Sequence, residues 1–220
     1  MKRTPSIVLI GIMLVALAAI AVTAFVAWNR ITAGTKVTVS SPMGFTAAVD
    51  IGGAFELTGH HGRTVKDGDF RGRFMLVFFG YGYCPDVCPT GLATVAAALD
   101  ALGDKAGRVQ PLFITVDPAR DTAEFLADYV GQFHPKFVGL TGTEAKIADV
   151  AKKYRVYYRK AENGSATDYL VDHSSFVYLM GPDGKFLTMF RHAMRPDDMA
   201  AAIASYIAKA KGGAGTGKSG

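Results

Sequence analysis

Two uninterrupted apolar runs of strand length restrict this chain more than any other feature. Phe74 to Phe79 reads FMLVFF and is followed by Gly80 and Gly82; Leu112 to Val116 reads LFITV and is closed by Asp117 and Pro118. A run that is apolar at every position has no face to give to water, so each predicts a central strand buried on both sides. Between them, Thr90 to Leu102 places Leu92, Val95, Ala96, Leu99 and Leu102 on one face of a helix. Strand, helix and strand in this order make a βαβ crossover, which joins parallel strands with a right-handed connection.

Further signals extend the pattern. Asp121 with Glu124 three residues on predicts a second helix, with Phe125, Leu126, Tyr129 and Val130 as its buried stripe. Thr141 with Glu144 repeats the signature for a third, reaching about Tyr154. Phe176 to Met180 and Lys185 to Phe190 bracket Gly181, Pro182, Asp183 and Gly184, which predicts a β-hairpin. A last helix starts at Pro196 with Asp197 and Asp198 in its first turn and finishes at Lys209 and Lys211 before two glycines. Residues 212–220 are expected to be disordered. This order predicts an α/β, thioredoxin-like fold over residues 51–211, with a central mixed sheet flanked by helices.

Ile7 to Trp28 contains no charged residue, and 22 helical positions cover about 33 Å, enough to cross a bilayer. A cleaved signal peptide has a shorter apolar region and a defined small-residue cleavage site, which is poorly marked between Ala24 and Ala27, so an uncleaved transmembrane helix is expected. Lys2 and Arg3 precede it, so residues 1–6 stay cytoplasmic, and residues 29–50 form a linker to an outward-facing domain. Without an Arg/Ser-rich transit peptide, the expected address is a single pass through a bacterial inner membrane with the domain in the periplasm. The formal charge of +5 includes Lys2, Arg3 and Arg30 around the apolar run and Lys209, Lys211 and Lys218 at the far end; the remainder is close to neutral and carries no nucleic-acid footprint.

The only cysteines are Cys84 and Cys88, directly after the first buried strand. They sit at the carboxyl end of a parallel strand, where open sheets keep their chemistry. Pro85 and Pro89 place the regular helix start at Pro89, and the helix dipole is expected to lower the Cys88 thiol pKa. Three uses compete. A structural disulfide would close a loop too short to stabilise much. A thiol–disulfide oxidoreductase normally has two intervening residues, and here Pro85, Asp86 and Val87 make three. Two thiolates one turn apart with a neutral imidazole would make a three-coordinate site suited to Cu(I). Of the five histidines, His60, His61, His134 and His192 read as solvated or locally bonded, whereas His173 enters the strand at Phe176 that should neighbour the cysteine-bearing one. Asp172, a backbone carbonyl or nothing could fix its tautomer. Met189 and Met194 read as core filler. No phosphate loop, paired catalytic carboxylates or nucleophilic serine constellation is present.

Gly52, Gly53, Phe55 and Leu57, then FGYGYCPDVCP from Phe79 to Pro89, TVDPARD from Thr115 to Asp121, and VDHSS from Val171 to Ser175 resemble the Sco (SenC/PrrC) family of copper-binding assembly proteins for cytochrome c oxidase. The resemblance covers about Ile51 to Met199. It implies a thioredoxin-like fold with one N-terminal anchor, and copper, as Cu(I) and also Cu(II), held by Cys84, Cys88 and His173. It implies as partners subunit II of the oxidase, whose binuclear copper centre is loaded, and other periplasmic copper chaperones. Some members are described as reductants of the receiving cysteines, so Cys84 and Cys88 are also the candidate catalytic redox pair of a thiol–disulfide oxidoreductase. A redox or copper sensor would share the site. Asp117, Arg120 and Asp172 are candidates for the surroundings of the metal. Gly82 stands where many members carry Thr or Ser, a change expected to leave ligation untouched.

Overall fold

The structure is a computed structural model that describes residues 22, 23, 25, 51–161 and 169–213, with 211–213 by backbone alone. The chain divides into the units Met1–Ala48 and Val49–Gly220, and the second carries every element named below. The expected membrane span lies outside the described residues except for Val22, Thr23 and Phe25; so do the linker and residues 214–220 of the expected tail. Among the described residues no helix is long and apolar enough to cross a membrane.

In chain order the elements are β1 (Glu56–Gly59), β2 (Thr64–Lys66), β3 (Phe74–Gly80), α1 (Val87–Leu102), β4 (Val109–Thr115), α2 (Ala123–Gly131), β5 (Val138–Thr141), α3 (Glu144–Lys153), β6 (Tyr158–Lys160), β7 (Val171–His173), β8 (Phe176–Met180), β9 (Phe186–Arg191) and α4 (Pro196–Gly213). Seven strands form one mixed sheet in the order β2-β1-β5-β4-β3-β8-β9. Its centre is the predicted crossover: β3 runs parallel to β4 from Phe74 opposite Val109 to Gly80 opposite Thr115, and α1 makes the connection. All seven residues of each of these two strands are buried, which is why neither shows alternation. The predicted hairpin is β8 and β9, and β8 lies antiparallel to β3 with Val177 opposite Phe78, as expected.

Several boundaries differ, each for a local reason. β4 begins at Val109 and contains Pro111, which cannot donate to a ladder. The Gln110 side chain compensates by donating to the Pro111 and Lys136 carbonyls at the point where pairing with β5 starts. The second helix is capped by Thr122, whose hydroxyl accepts the Phe125 N–H, and not by Asp121, which is buried. The third is capped by Thr143, while Thr141 ends β5. The last helix runs on to Gly213, two glycines past the expected stop. The sequence pattern also missed β1, β2, β5 and a separate two-stranded antiparallel ribbon of β6 and β7, in which Tyr158 pairs with His173 and Lys160 with Val171.

Candidate metal centre

The first cysteine lies in the loop leaving β3, and its N–H donates to the Tyr81 carbonyl at 3.2 Å. Cys88 is the second residue of α1, which starts at Val87 and not at Pro89. Pro89 is tolerated because the first-turn N–H groups have no helical partner to lose, and the helical bonding starts with the Thr90 N–H on the Asp86 carbonyl. That same geometry aims the Cys88 N–H at Cys84 Sγ, 3.5 Å away. Cys88 itself is fully buried over Gly80, where an added Cβ would come within 2.6 Å of its sulfur. Only glycine lets the helix sit this close to the strand end.

The third donor arrives from the ribbon. His173 ends β7, with its ring edge-on to Tyr81 at 5.8 Å and to Phe78 at 6.4 Å. Its Nδ1 is 3.1 Å from the Ser174 carbonyl, which can only accept, so Nδ1 carries the proton and Nε2 keeps its lone pair. Nε2 lies 3.3 Å from Cys88 Sγ. A backbone carbonyl therefore fixes the tautomer; Asp172 is exposed on the ribbon opposite Arg159 and makes no hydrogen bond to the ring. One ligand atom from each of Cys84, Cys88 and His173 lies within 4.8 Å of the other two. Cys84 and His173, but not the buried Cys88, border a cavity of about 230 Å³ shared with Tyr81, Pro85, Leu170 and Ser175. The larger cavities, about 630 and 750 Å³, contain neither cysteine, so cavity size does not locate this site.

The electrostatics reverse one expectation. Cys84, not Cys88, is the thiol held low, at about 3, by the hydrogen bond from Cys88, with further bonds from the Asp86 and Cys88 backbone, together outweighing burial. Cys88 is pushed up by its bond to Cys84, by burial and by the charge on Cys84. The helix amide that was expected to favour a Cys88 thiolate is spent on Cys84 instead. At neutral pH the pair carries one thiolate on the half-exposed sulfur and one proton on the buried sulfur, facing the imidazole lone pair.

Asp117 and Arg120 are brought to the same end of the sheet. Arg120 Nε donates to Asp117 Oδ2 at 2.5 Å, and Asp117 Oδ1 accepts the Tyr169 hydroxyl at 2.6 Å. The Arg120 guanidinium lies 3.7 Å from the Tyr169 ring centre and 4.8 Å from that of Tyr83. Tyr169 was missed by sequence reasoning, which had no signal to link residue 169 to residue 117. Asp121 has no solvent exposure; its Oδ2 accepts the Gly82 N–H and the Thr115 hydroxyl, and burial raises its pKa to about 6. Gly82 is tightly packed, since a Cβ there would lie 2.1 Å from the Phe125 ring, which stacks on Tyr83. The other histidines stay outside the donor group: His60 Nδ1 accepts the Gly139 N–H and His134 Nδ1 that of Lys136. Met189 is not core filler, being 47% exposed on the edge strand β9, whereas Met194 packs partly buried against the core.

Fold and donor set define a thioredoxin-like domain with a soft-metal Cys–Cys–His group at the carboxyl ends of its parallel strands. The SCO1/SenC family pattern matches residues 44–208, and the chain belongs to that family. Protein sco1 of Schizosaccharomyces pombe is 48% identical over 164 residues, covering 73% of this chain and 62% of that protein. The mitochondrial SCO1 homologue of Homo sapiens is 43% identical over 159 residues, covering 71% and 53%. The chain thus spans between half and two thirds of the length of these relatives. Among solved structures, copper-bound ScoI of Bradyrhizobium japonicum superposes with a TM-score of 0.67 at 42% identity, covering 71% of this chain and 99% of that one. Copper-bound yeast Sco1 gives 0.68 at 38% identity, covering 72% and 89%.

Proposed function

We propose that this chain is a membrane-anchored copper metallochaperone that holds copper through Cys84, Cys88 and His173 and serves assembly of the binuclear copper centre in subunit II of cytochrome c oxidase. The observation that carries the reading is the approach of two sulfurs and one imidazole nitrogen, the last from a residue 85 positions beyond Cys88, to within 4.8 Å of one another. Two sulfurs and one neutral imidazole make a three-coordinate soft set that favours Cu(I), whereas structural zinc generally takes a fourth ligand. The tautomer is preset for coordination through Nε2, and Cys84 is already a thiolate, so only Cys88 must release a proton when metal binds. Copper-bound relatives of the same family support the choice of metal. Residues 7–28 serve as the anchor in a bacterial inner membrane, 29–50 as the tether, and residues 51–211 present the site in the periplasm.

A second reading has one observation in its favour: a half-exposed thiolate beside a buried thiol is the arrangement of a dithiol reductant. Cys84 would attack a partner disulfide to give a mixed disulfide, and Cys88 would displace it, leaving the partner as two thiols and this chain as the disulfide. X-ray absorption at the copper edge on the full chain, reduced and loaded with Cu(I), separates the two. The metallochaperone reading expects two sulfurs and one nitrogen around copper, with the nitrogen lost in His173→Ala. A reduced protein that retains no copper, yet reduces a small disulfide equally well with and without His173, selects the reductase.

A further inference from the structure

The three donors do not stand on one body. Cys84 and Cys88 are set by β3 and α1, both part of the central core, whereas His173 belongs to the β6–β7 ribbon, which shares no strand pairing with the large sheet. On its downstream side the ribbon continues through Ser174 and Ser175 into β8. On its upstream side the chain is gripped at Tyr169, four residues before His173. The Tyr169 hydroxyl donates to Asp117 Oδ1 at 2.6 Å, its backbone carbonyl accepts from Arg120 Nη2 at 3.0 Å, and its ring lies under the Arg120 guanidinium at 3.7 Å. Lys160, on the partner strand of the ribbon, places its ammonium 4.8 Å from the same ring.

The post that receives this grip is rigid. Asp117 has no solvent exposure, its N–H donates to the Thr115 hydroxyl at 2.9 Å, and its carbonyl accepts the N–H groups of Arg120 and Asp121. Its two carboxylate oxygens are divided between Arg120 and Tyr169. A charge-assisted hydrogen bond of this kind, between a buried carboxylate and a hydroxyl, is short and directional.

We propose that Tyr169 is a positioning residue for the metal centre: through its hydroxyl on Asp117 and its ring under Arg120 it fixes the ribbon so that the His173 imidazole meets the two sulfurs. The inference rests on the reading of Cys84, Cys88 and His173 as copper ligands. Tyr169 touches no donor atom and acts only through the strand that carries His173. Removing the hydroxyl leaves the ring, its cation contacts and the carbonyl bond in place, so the domain stays folded while the imidazole gains freedom.

The test is a double-mutant cycle on the full chain, measuring Cu(I) affinity by competition with a chromophoric chelator. The variants are Tyr169→Phe, His173→Ala and the pair. Partners outside the ligand shell are worth about 10- to 100-fold in metal affinity, and Tyr169→Phe is expected to lower affinity roughly tenfold. The nitrogen signal around copper should weaken, while the metal-free protein stays folded, its melting temperature lowered only by the loss of the one hydrogen bond on Asp117. In the His173→Ala background the same substitution should have no further effect, because the group it positions is gone. An unchanged affinity in Tyr169→Phe, or a tenfold loss that persists without His173, overturns the proposal. Failure of the wild-type protein to bind copper would instead overturn the ligand reading beneath it, so the two failures are distinguishable.

Discussion

The body that carries the sulfurs and the ribbon that carries the imidazole are built on different physical terms. Around Cys88 the chain is close-packed: Gly80 is buried, Phe78 and Phe113 have essentially no exposed surface, and a single added carbon at Gly80 would meet both Cys88 and Phe113. Around His173 the ribbon is three residues per strand, with exposed Arg159, Lys160 and Asp172; Val171 is its one buried residue, and polar contacts made by Tyr169, Ser174 and Arg120 supply much of the rest of its hold. Packing holds the sulfur pair at a cost in stability if disturbed; hydrogen bonds hold the imidazole at little cost. The site therefore combines a preset two-sulfur half with a nitrogen that a few contacts can tighten or release.

The sharpest way to break this contrast is from the body side. Phe113 is fully buried at the centre of β4, against Phe78 and Tyr129. Phe113→Ala should cost about 3–5 kcal/mol by chemical denaturation and loosen copper binding by disturbing the floor under Cys88. A loss below about 1 kcal/mol would show that the body is not the rigid half.

A second handle is pH. Asp121 has a folded pKa raised to about 6 from its usual 3.8, so the native state takes up a proton before the unfolded chain does. Stability is then greatest below about pH 4 as far as this group is concerned, and falls as pH rises through about 6, by about 3 kcal/mol. Asp121→Asn should remove that slope from the pH profile of the melting temperature. An identical slope in the variant would assign it to other groups.

The smallest expected effect lies on the ribbon. The Ser174 hydroxyl accepts the Tyr157 N–H at 3.2 Å in an exposed setting. Ser174→Ala should cost about 0.5–1 kcal/mol at most, yet its copper dissociation rate should rise, because the hydrogen bond helps hold the strand ending in His173. A variant with unchanged dissociation would remove Ser174 from the account.

The same division governs what could be read from the sequence. FMLVFF and LFITV announced themselves as central strands because burial on both faces leaves no polar position. The cysteine spacing, the hairpin at Gly181 to Gly184 and the start of the last helix were legible for equally local reasons. The ribbon was not: Tyr158–Lys160 and Val171–His173 are three residues each and only Val171 is buried, so no period marks them, and the four residues of β5 include Gly139. His173 could be placed beside the cysteines only through the strand after it and the family resemblance. Which thiol is ionised was not legible either, because it depends chiefly on the hydrogen bond between the two thiols and on the deeper burial of Cys88, and the expectation for Cys88 was reversed in favour of Cys84. Gly82 read as a neutral departure, but Phe125 occupies the space a side chain there would need.

The most direct measurement is a Cu(I) competition titration of the full, reduced chain alongside Cys84→Ser, Cys88→Ser and His173→Ala. One copper per wild-type chain is predicted, with affinity lowered at least about a hundredfold, about 2.7 kcal/mol, in each thiol variant and lowered to a lesser degree when the imidazole is removed. A wild-type chain that binds no copper, or a His173→Ala protein that titrates identically to wild type, would contradict the assembly of one site from these two halves.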